Sequence, residues 1–115
     1  AKVAAINPLK EAGLLAFKNP QEVRGWLGSG TPLADLYLQV KIGGDQALLK
    51  GVMKGLVARG AVDRTFVADH TDGFDALAAS LDGVSWDAVV EQSGIARSDI
   101  DRLTDLLAQS DRVIA

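Results

Sequence analysis

Gly43, Gly44 and Asp45 are the residues of this sequence whose types and spacing best fit a chemical role. They follow an apolar, strand-like run and precede a long amphipathic pattern typical of a helix. In α/β folds, a strand that ends in glycines at the start of a helix brings backbone N–H groups against phosphate. The glycines would also let the backbone approach a pyrophosphate closely. The pattern therefore predicts a chain that holds a phosphorylated ligand while the reaction takes place elsewhere.

Asp45 has two interpretations. It can be the N-cap of the following helix and accept from its free N–H groups, which the sequence alone favours. It can also be a carboxylate that accepts from a base or sugar donor of a nucleotide. Because the glycines match neither a Gly-x-Gly-x-x-Gly fingerprint nor a P-loop, spacing by itself supports a nucleotide pocket only as one hypothesis.

A second turn, Asn7-Pro8-Leu9-Lys10, follows the first apolar run of the chain. Asn-Pro is a turn signal and disfavours helix at the asparagine. Ligands of open parallel sheets bind outside the carboxyl ends of the strands. This turn therefore joins Gly43, Gly44 and Asp45 as a candidate binding element.

The other polar residues predict no catalytic or metal site. His70 is the single histidine and there is no cysteine, so a transition-metal ligand set within these residues is excluded. We interpret His70 as a helix-end residue and Ser29 as part of a glycine loop without the context of a hydrolase nucleophile. The remaining candidates are interpreted as helix-end, surface or core-packing residues: Asp69, Asp72, Asp75, Trp26 and Trp86.

Composition limits the class of protein. The chain has 115 residues, is 48% hydrophobic and carries a net charge of -3, values of an ordinary globular domain rather than a general nucleic-acid binder. No run is long enough to span a membrane and no signal peptide is visible, which predicts a cytoplasmic location. Both ends of the sequence are strand-like, so we expect an internal segment of a larger protein.

Apolar periodicity and turn residues predict strands alternating with helices. Such alternation is typical of parallel βαβ connections. The expected fold is a single α/β domain over residues 1–115, three-layered and Rossmann-like, with a short parallel sheet flanked by helices. The predicted strands are 3–6, 33–42 and 113–115, and the predicted helices are 20–27, one from Asp45 to a stop at Gly60, Asp63 to Asp69, Thr71 to Leu81, one between Ser85 and Gly94, and one from Ser98 to Gln109.

Five blocks in order resemble an internal segment of the molybdopterin oxidoreductases, in particular the formate dehydrogenase alpha subunit-like branch. They are Val-Ala-Ala-Ile-Asn-Pro-Leu (3–9), Ala-Asp (34–35), Ile-Gly-Gly-Asp-Gln-Ala-Leu (42–48), Val-Asp-Arg-Thr-Phe-Val-Ala-Asp-His-Thr-Asp-Gly-Phe (62–74) and Ser-Gly-Ile (93–95). The resemblance covers essentially the whole chain.

The resemblance implies a role in cofactor binding. In that family the two turns contact the guanosine and phosphate portions of a molybdopterin guanine dinucleotide. Here the corresponding residues are Asn7, Pro8, Leu9 and Lys10, then Gly43, Gly44 and Asp45. The implied partners are the cofactor and the remaining domains of the parent chain, with any iron–sulfur cluster outside this segment, and the segment alone is expected to be inactive.

Two other functions remain open from the sequence. One is a standalone Rossmann-like interaction or regulatory module without catalytic activity. The other is a free-standing nucleotide-binding protein, which would bind GMP or GDP by itself.

Overall fold

The computed structural model describes residues 2–11 and 34–115, together with the backbone of residues 16–17 and 31–32. The chain divides into two compact units, Ala1–Val40 and Lys41–Ala115. The predicted helix over 20–27, Ser29 and Trp26 lie outside the described residues. No helix of the described part is long and apolar enough to cross a membrane.

The described residues of the first unit form four short strands. These are β1 (Ala4–Ile6), β2 (Ala16–Phe17), β3 (Thr31–Pro32) and β4 (Leu36–Leu38). β1 pairs with β4 in parallel, with Ala5 opposite Tyr37, and β2 pairs with β3 in antiparallel orientation. The predicted parallel pairing of the two apolar runs is confirmed, although the second strand covers only 36–38 of the predicted 33–42.

The β1–β4 pair is extended by bonds at its N-terminal end. The amides of Asp35 and Leu36 donate to the carbonyl of Val3, at 2.8 and 3.2 Å. The Asp35 carboxylate in turn accepts from the Val3 amide at 2.7 Å. Alternation along β4 places Leu36 and Leu38 among the buried residues, as expected for a strand with one face covered.

The second unit is helical. Its helices are α1 (Asp45–Ala58), α2 (Arg64–His70), α3 (Phe74–Asp82), α4 (Trp86–Ser93) and α5 (Arg97–Ala108). α1 packs against α3, α4 and α5. Burial of apolar side chains is the main term that stabilises this arrangement, and the buried set in the unit is Ala47, Leu48, Val52, Leu81, Val89, Ile95, Ile100 and Leu103.

Two glycines on α1 set how closely its neighbours approach. A Cβ on Gly51 would lie 2.7 Å from Cγ1 of Val89, and one on Gly55 would lie 2.9 Å from Cγ2 of Thr104. The two glycines are four residues apart and so share one face of α1. Their missing side chains let α4 and α5 pack directly against the α1 backbone.

An ion-pair network links the end of α1 to α5. The guanidinium of Arg59 lies 3.2 Å from a carboxylate oxygen of Asp101 and 2.7 Å from one of Asp105. The hydrogen bond that Arg59 donates to Asp101 is the largest cause that raises the pKa of Arg59, and the bond to Asp105 adds to it. The two carboxylates therefore favour the charged guanidinium of Arg59.

Several predicted helix ends are confirmed. The Asp63 carboxylate accepts from the Phe66 amide at 2.9 Å, and the Ser85 hydroxyl accepts from the Ala88 amide at 3.3 Å. Gly60 and Gly94 have positive φ angles, of 65° and 72°, just after helices, which glycine adopts without the steric cost of a Cβ.

Two predicted helix starts and one predicted strand are wrong. Thr71 does not begin a helix, since its hydroxyl donates to the Val67 carbonyl at 2.7 Å and closes α2, and α3 begins at Phe74. The last helix begins at Arg97 with Ala96 as N-cap, so Ser98 lies inside its first turn. Residues 113–115 form no strand and are exposed, because nothing in the described part of the chain pairs with them.

The described residues are thus mixed α/β, with one parallel strand pair and five helices. A three-layer Rossmann-like arrangement stays a prediction.

Candidate functional site

The Gly43–Asp45 turn lies in the second unit and leads into α1, of which Asp45 is the first residue. Gly43 has φ of 80°, a left-handed value that L side chains rarely adopt. A Cβ at Gly43 would meet no atom within 4 Å. Backbone conformation therefore selects glycine here, and the space beside the turn is open.

Gly44 is required for a different reason. Its φ of -86° and ψ of -4° suit any residue, but a Cβ would lie 2.6 Å from the Gln92 carbonyl oxygen and 2.9 Å from Cα of Ser93. The sequence suggested that the glycines let a ligand approach the backbone closely. At Gly44 the group that approaches closely is instead the backbone at the end of α4.

Three bonds hold the turn in place. The Lys41 amide donates to the Ser93 carbonyl at 2.9 Å, and the Gly44 amide donates to the Lys41 carbonyl at 2.8 Å. The Lys41 ammonium donates to the Glu91 carbonyl at 2.8 Å. These bonds fix the start of α1 against the end of α4, so the turn is preorganised.

The structure corrects the favoured interpretation of Asp45. The N-cap of α1 is Gly44, and no side chain caps the helix. Asp45 is the first helical residue and is exposed. A helix start leaves its first amides without intrahelical partners, and a carboxylate there interacts favourably with the helix dipole. The Asp45 side chain is therefore available to accept from an external donor.

The Asn7–Lys10 turn follows β1 and is held by side chains of the β4 run. The Gln39 amide nitrogen donates to the Pro8 carbonyl at 3.1 Å. The Tyr37 hydroxyl donates to the Leu9 carbonyl, and the Asn7 amide donates to the Leu38 carbonyl at 3.1 Å. Leu9 is 64% exposed and Lys10 is also exposed. The turn therefore presents an ammonium group on an anchored backbone.

Tyr37 and Gln39 were not singled out from the sequence. The available signal is their spacing, because they alternate with the buried Leu36, Leu38 and Val40 and so share the other face of the strand. Lys41 and Ser93 were missed as well, and no local pattern indicates a contact between residues so far apart.

The two predicted turns lie in different units: Asn7, Pro8, Leu9 and Lys10 in the first, and Gly43, Gly44 and Asp45 in the second. Each is an ordered turn whose exposed polar side chain could bind a ligand group.

The other candidate residues have structural surroundings. The ring of His70 lies 4.8 Å from that of Phe66, centroid to centroid, at the end of α2. The Arg97 guanidinium stacks 3.4 Å over the ring of half-buried Trp86. Within residues 2–11 and 34–115, no three His, Asp or Glu side chains are grouped so that they could hold a metal ion.

Comparison with known proteins relates the chain to segments of larger oxidoreductases. No family model matches it. An uncharacterized oxidoreductase of Mycobacterium tuberculosis is 40% identical over 120 residues, which cover 99% of this chain and 15% of that protein. The assimilatory nitrate reductase catalytic subunit of Bacillus subtilis is 31% identical over 70 residues, covering 61% of this chain and 10% of that protein.

A solved structure shows the same fold. Acetylene hydratase from Pelobacter acetylenicus matches 96% of this chain with a TM-score of 0.70 and 21% identity, over 13% of its own length. The match thus spans between about a tenth and a seventh of the length of these proteins.

Proposed function

We propose that the chain is an internal segment of a molybdopterin-dependent oxidoreductase and helps to bind the guanine dinucleotide end of its cofactor. The observation that carries the proposal is the 40% identity to a segment of a larger oxidoreductase over 99% of this chain. The nitrate reductase subunit and the fold shared with acetylene hydratase support it, as does the resemblance of the five sequence blocks. We expect the complete domain to be three-layered and Rossmann-like.

The chemistry of the Gly43–Asp45 turn fits the guanosine portion. Guanine and ribose are neutral groups with N–H and O–H donors, and the exposed Asp45 carboxylate is an acceptor for such donors. Open space beside Gly43 gives access to the start of α1. A phosphate placed directly at Asp45 would be repelled, so we assign this turn to the base or sugar rather than to the diphosphate.

The Asn7–Lys10 turn fits a phosphate better. The Lys10 ammonium is exposed and is a positive charge that pairs with phosphate. The backbone that carries it is fixed by the bonds from Tyr37 and Gln39. We therefore assign phosphate contact to Lys10 and, by the resemblance, nucleotide contacts to Asn7, Pro8 and Leu9.

The bound molybdenum centre would supply two-electron oxidation or reduction, whereas these residues only bind and orient the nucleotide end. Preorganisation matters because a ligand held in one orientation avoids the entropic cost of positioning during reaction. Formate oxidation in the cytoplasm, with any iron–sulfur cluster in another domain, is the finer hypothesis implied by the resemblance.

The proposal is tested in the full-length parent protein with Asp45→Asn and the matched control Asp87→Asn. Asp87 also lies in the first turn of a helix, α4, and is exposed, so both changes remove the same interaction with a helix dipole. We expect Asp45→Asn alone to lower the molybdenum and guanine nucleotide that copurify with the parent, and with them its formate:acceptor activity. Equal cofactor content in both variants would contradict the role of Asp45, and a parent that contains no molybdopterin would refute the proposed function.

A further inference from the structure

Helix α2 has no buried residue, whereas α1, α3, α4 and α5 each bury at least one. It is only seven residues long, and isolated helices of that length are marginal in water. The Asp63 cap supports its start, but the side chain of Phe66 is 56% exposed. In most proteins a short amphipathic helix gains its stability from packing. The part of the chain that the structure describes buries no side chain of α2.

A groove of about 430 Å³ runs between α2 and the start of α3. Apolar side chains form part of its lining, among them Val67, Ala68 and Phe74. The Arg64 guanidinium lies 4.8 Å from the Phe74 ring centroid. Asp72 and Asp75 also line the groove, so its lining combines apolar side chains with two carboxylates and one guanidinium.

We propose that α2 and this groove, together called the α2 surface, form a docking site for another domain of the same parent polypeptide. This inference rests on the proposed function. The relatives support it through their length, since the matched segment makes up only 15% of the mycobacterial protein and most of that polypeptide lies outside it. The docking partner would place apolar side chains on Phe66 and Val67 and basic side chains opposite Asp72 and Asp75.

Thiol labelling tests whether the surface is covered. The chain has no cysteine, so Ala68→Cys introduces a single reactive position in the groove, and Ala47→Cys serves as a buried reference because Ala47 is 7% exposed. We expect a thiol reagent to label Ala68→Cys readily in the 115-residue chain and at least about tenfold more slowly in the native parent, after subtraction of the parent's own cysteines. Ala47→Cys should label slowly in both.

Equal labelling rates for Ala68→Cys in the parent and in the isolated chain would overturn the proposal. Protection already present in the isolated chain would overturn it too. If that protection increased with protein concentration, a second copy of the chain would occupy the α2 surface. If it did not change with concentration, another part of the same chain would cover the surface.

A substitution at Phe66 gives an independent measurement. Phe66→Asp should leave the thermal midpoint of the isolated chain nearly unchanged, because the side chain is exposed there, and should lower that of the parent by several degrees. Phe66→Leu, which keeps an apolar side chain, should have a small effect in both. A parent that tolerates Phe66→Asp would overturn docking. Equal labelling rates or tolerance of Phe66→Asp would overturn docking alone. The failure of the proposed function is a different result, namely a parent that lacks molybdopterin while its α2 surface is still protected.

Discussion

Replacement of Gly44 by alanine tests whether the turn before α1 is packed against the end of α4. The new Cβ would lie 2.6 Å from the Gln92 carbonyl oxygen, 2.9 Å from Cα of Ser93 and 3.0 Å from the Lys41 carbonyl oxygen. Favourable contacts of a carbon atom lie at about 3.5–4.0 Å. All three atoms belong to the backbone, so none can move away by a change of rotamer.

The magnitude follows from two opposing effects. Inserting a methyl group into a packed site costs about 1–3 kcal/mol. Alanine has less conformational freedom than glycine in the unfolded chain, which offsets about 0.4–1 kcal/mol where the native backbone is compatible, as it is at Gly44 with φ of -86°. Two bonds resist relaxation, Lys41 amide to Ser93 carbonyl and Gly44 amide to Lys41 carbonyl. Because relaxation is limited, we take the cost of insertion as about 2–2.5 kcal/mol, and after the offset we expect a net loss of about 1–2 kcal/mol in the free energy of unfolding.

The matched control is Gly83→Ala. Gly83 has φ of -71° at the end of α3, and a Cβ there would meet only the Ser80 carbonyl oxygen at 3.5 Å, an ordinary contact. This variant should be neutral or more stable by up to about 1 kcal/mol. Urea unfolding followed by circular dichroism measures both, and at about 4 °C per kcal/mol Gly44→Ala should lower the midpoint of thermal unfolding by about 4–8 °C. A Gly44→Ala variant as stable as Gly83→Ala would refute the close approach.

Three further outcomes are expected. Arg59→Met should lower the free energy of unfolding by about 1 kcal/mol or less, since the ion pairs are partly exposed, and this loss should shrink in about 1 M salt. Because the carboxylates raise the pKa of Arg59, the ion pairs contribute fully at any pH below the pKa that the group has in the unfolded chain. Urea titrations should therefore give the same loss throughout the range of about pH 6 to 9. Ser93→Ala leaves the buried Ile95 amide without the hydroxyl that it bonds at 3.2 Å and should cost about 1–3 kcal/mol by the same assay; a loss below 0.5 kcal/mol would contradict this. Asp63→Ala removes the bond to the Phe66 amide and should cost α2 about 1 kcal/mol, seen as faster hydrogen exchange of its amides while those of α1 are unchanged.

Much of the helical unit could be predicted from local signals. Asp63, Ser85, Gly60 and Gly94 mark helix ends through bonds or φ angles that involve only a few neighbouring residues, and such signals can be read in the chain itself. The boundary errors at Thr71 and Ser98 arose because both residue types can begin a helix. Thr71 instead bonds the Val67 carbonyl, and Ala96 is the N-cap of α5.

The two candidate turns were also found from the sequence, but the reasons for their residues were not. Gly43 is explained locally, by its positive φ. The need for glycine at position 44, by contrast, comes from the backbone of Gln92 and Ser93, and the Asn7–Lys10 turn is held by Tyr37 and Gln39. Sequence reasoning has no access to contacts across such separations.

By itself, the sequence determined the parallel pairing of two apolar runs, most of the helix ends and the positions of two exposed turns, because each depends on side-chain periodicity or on φ preferences of nearby residues. Only the tertiary structure decided that Gly44 rather than Asp45 caps α1 and that the end of α4 holds the turn. Among the described residues, tertiary packing also leaves α2 without a buried side chain. The physical reason is that packing joins residues distant in the chain, and a steric limit such as that at Gly44 exists only once those residues are brought together.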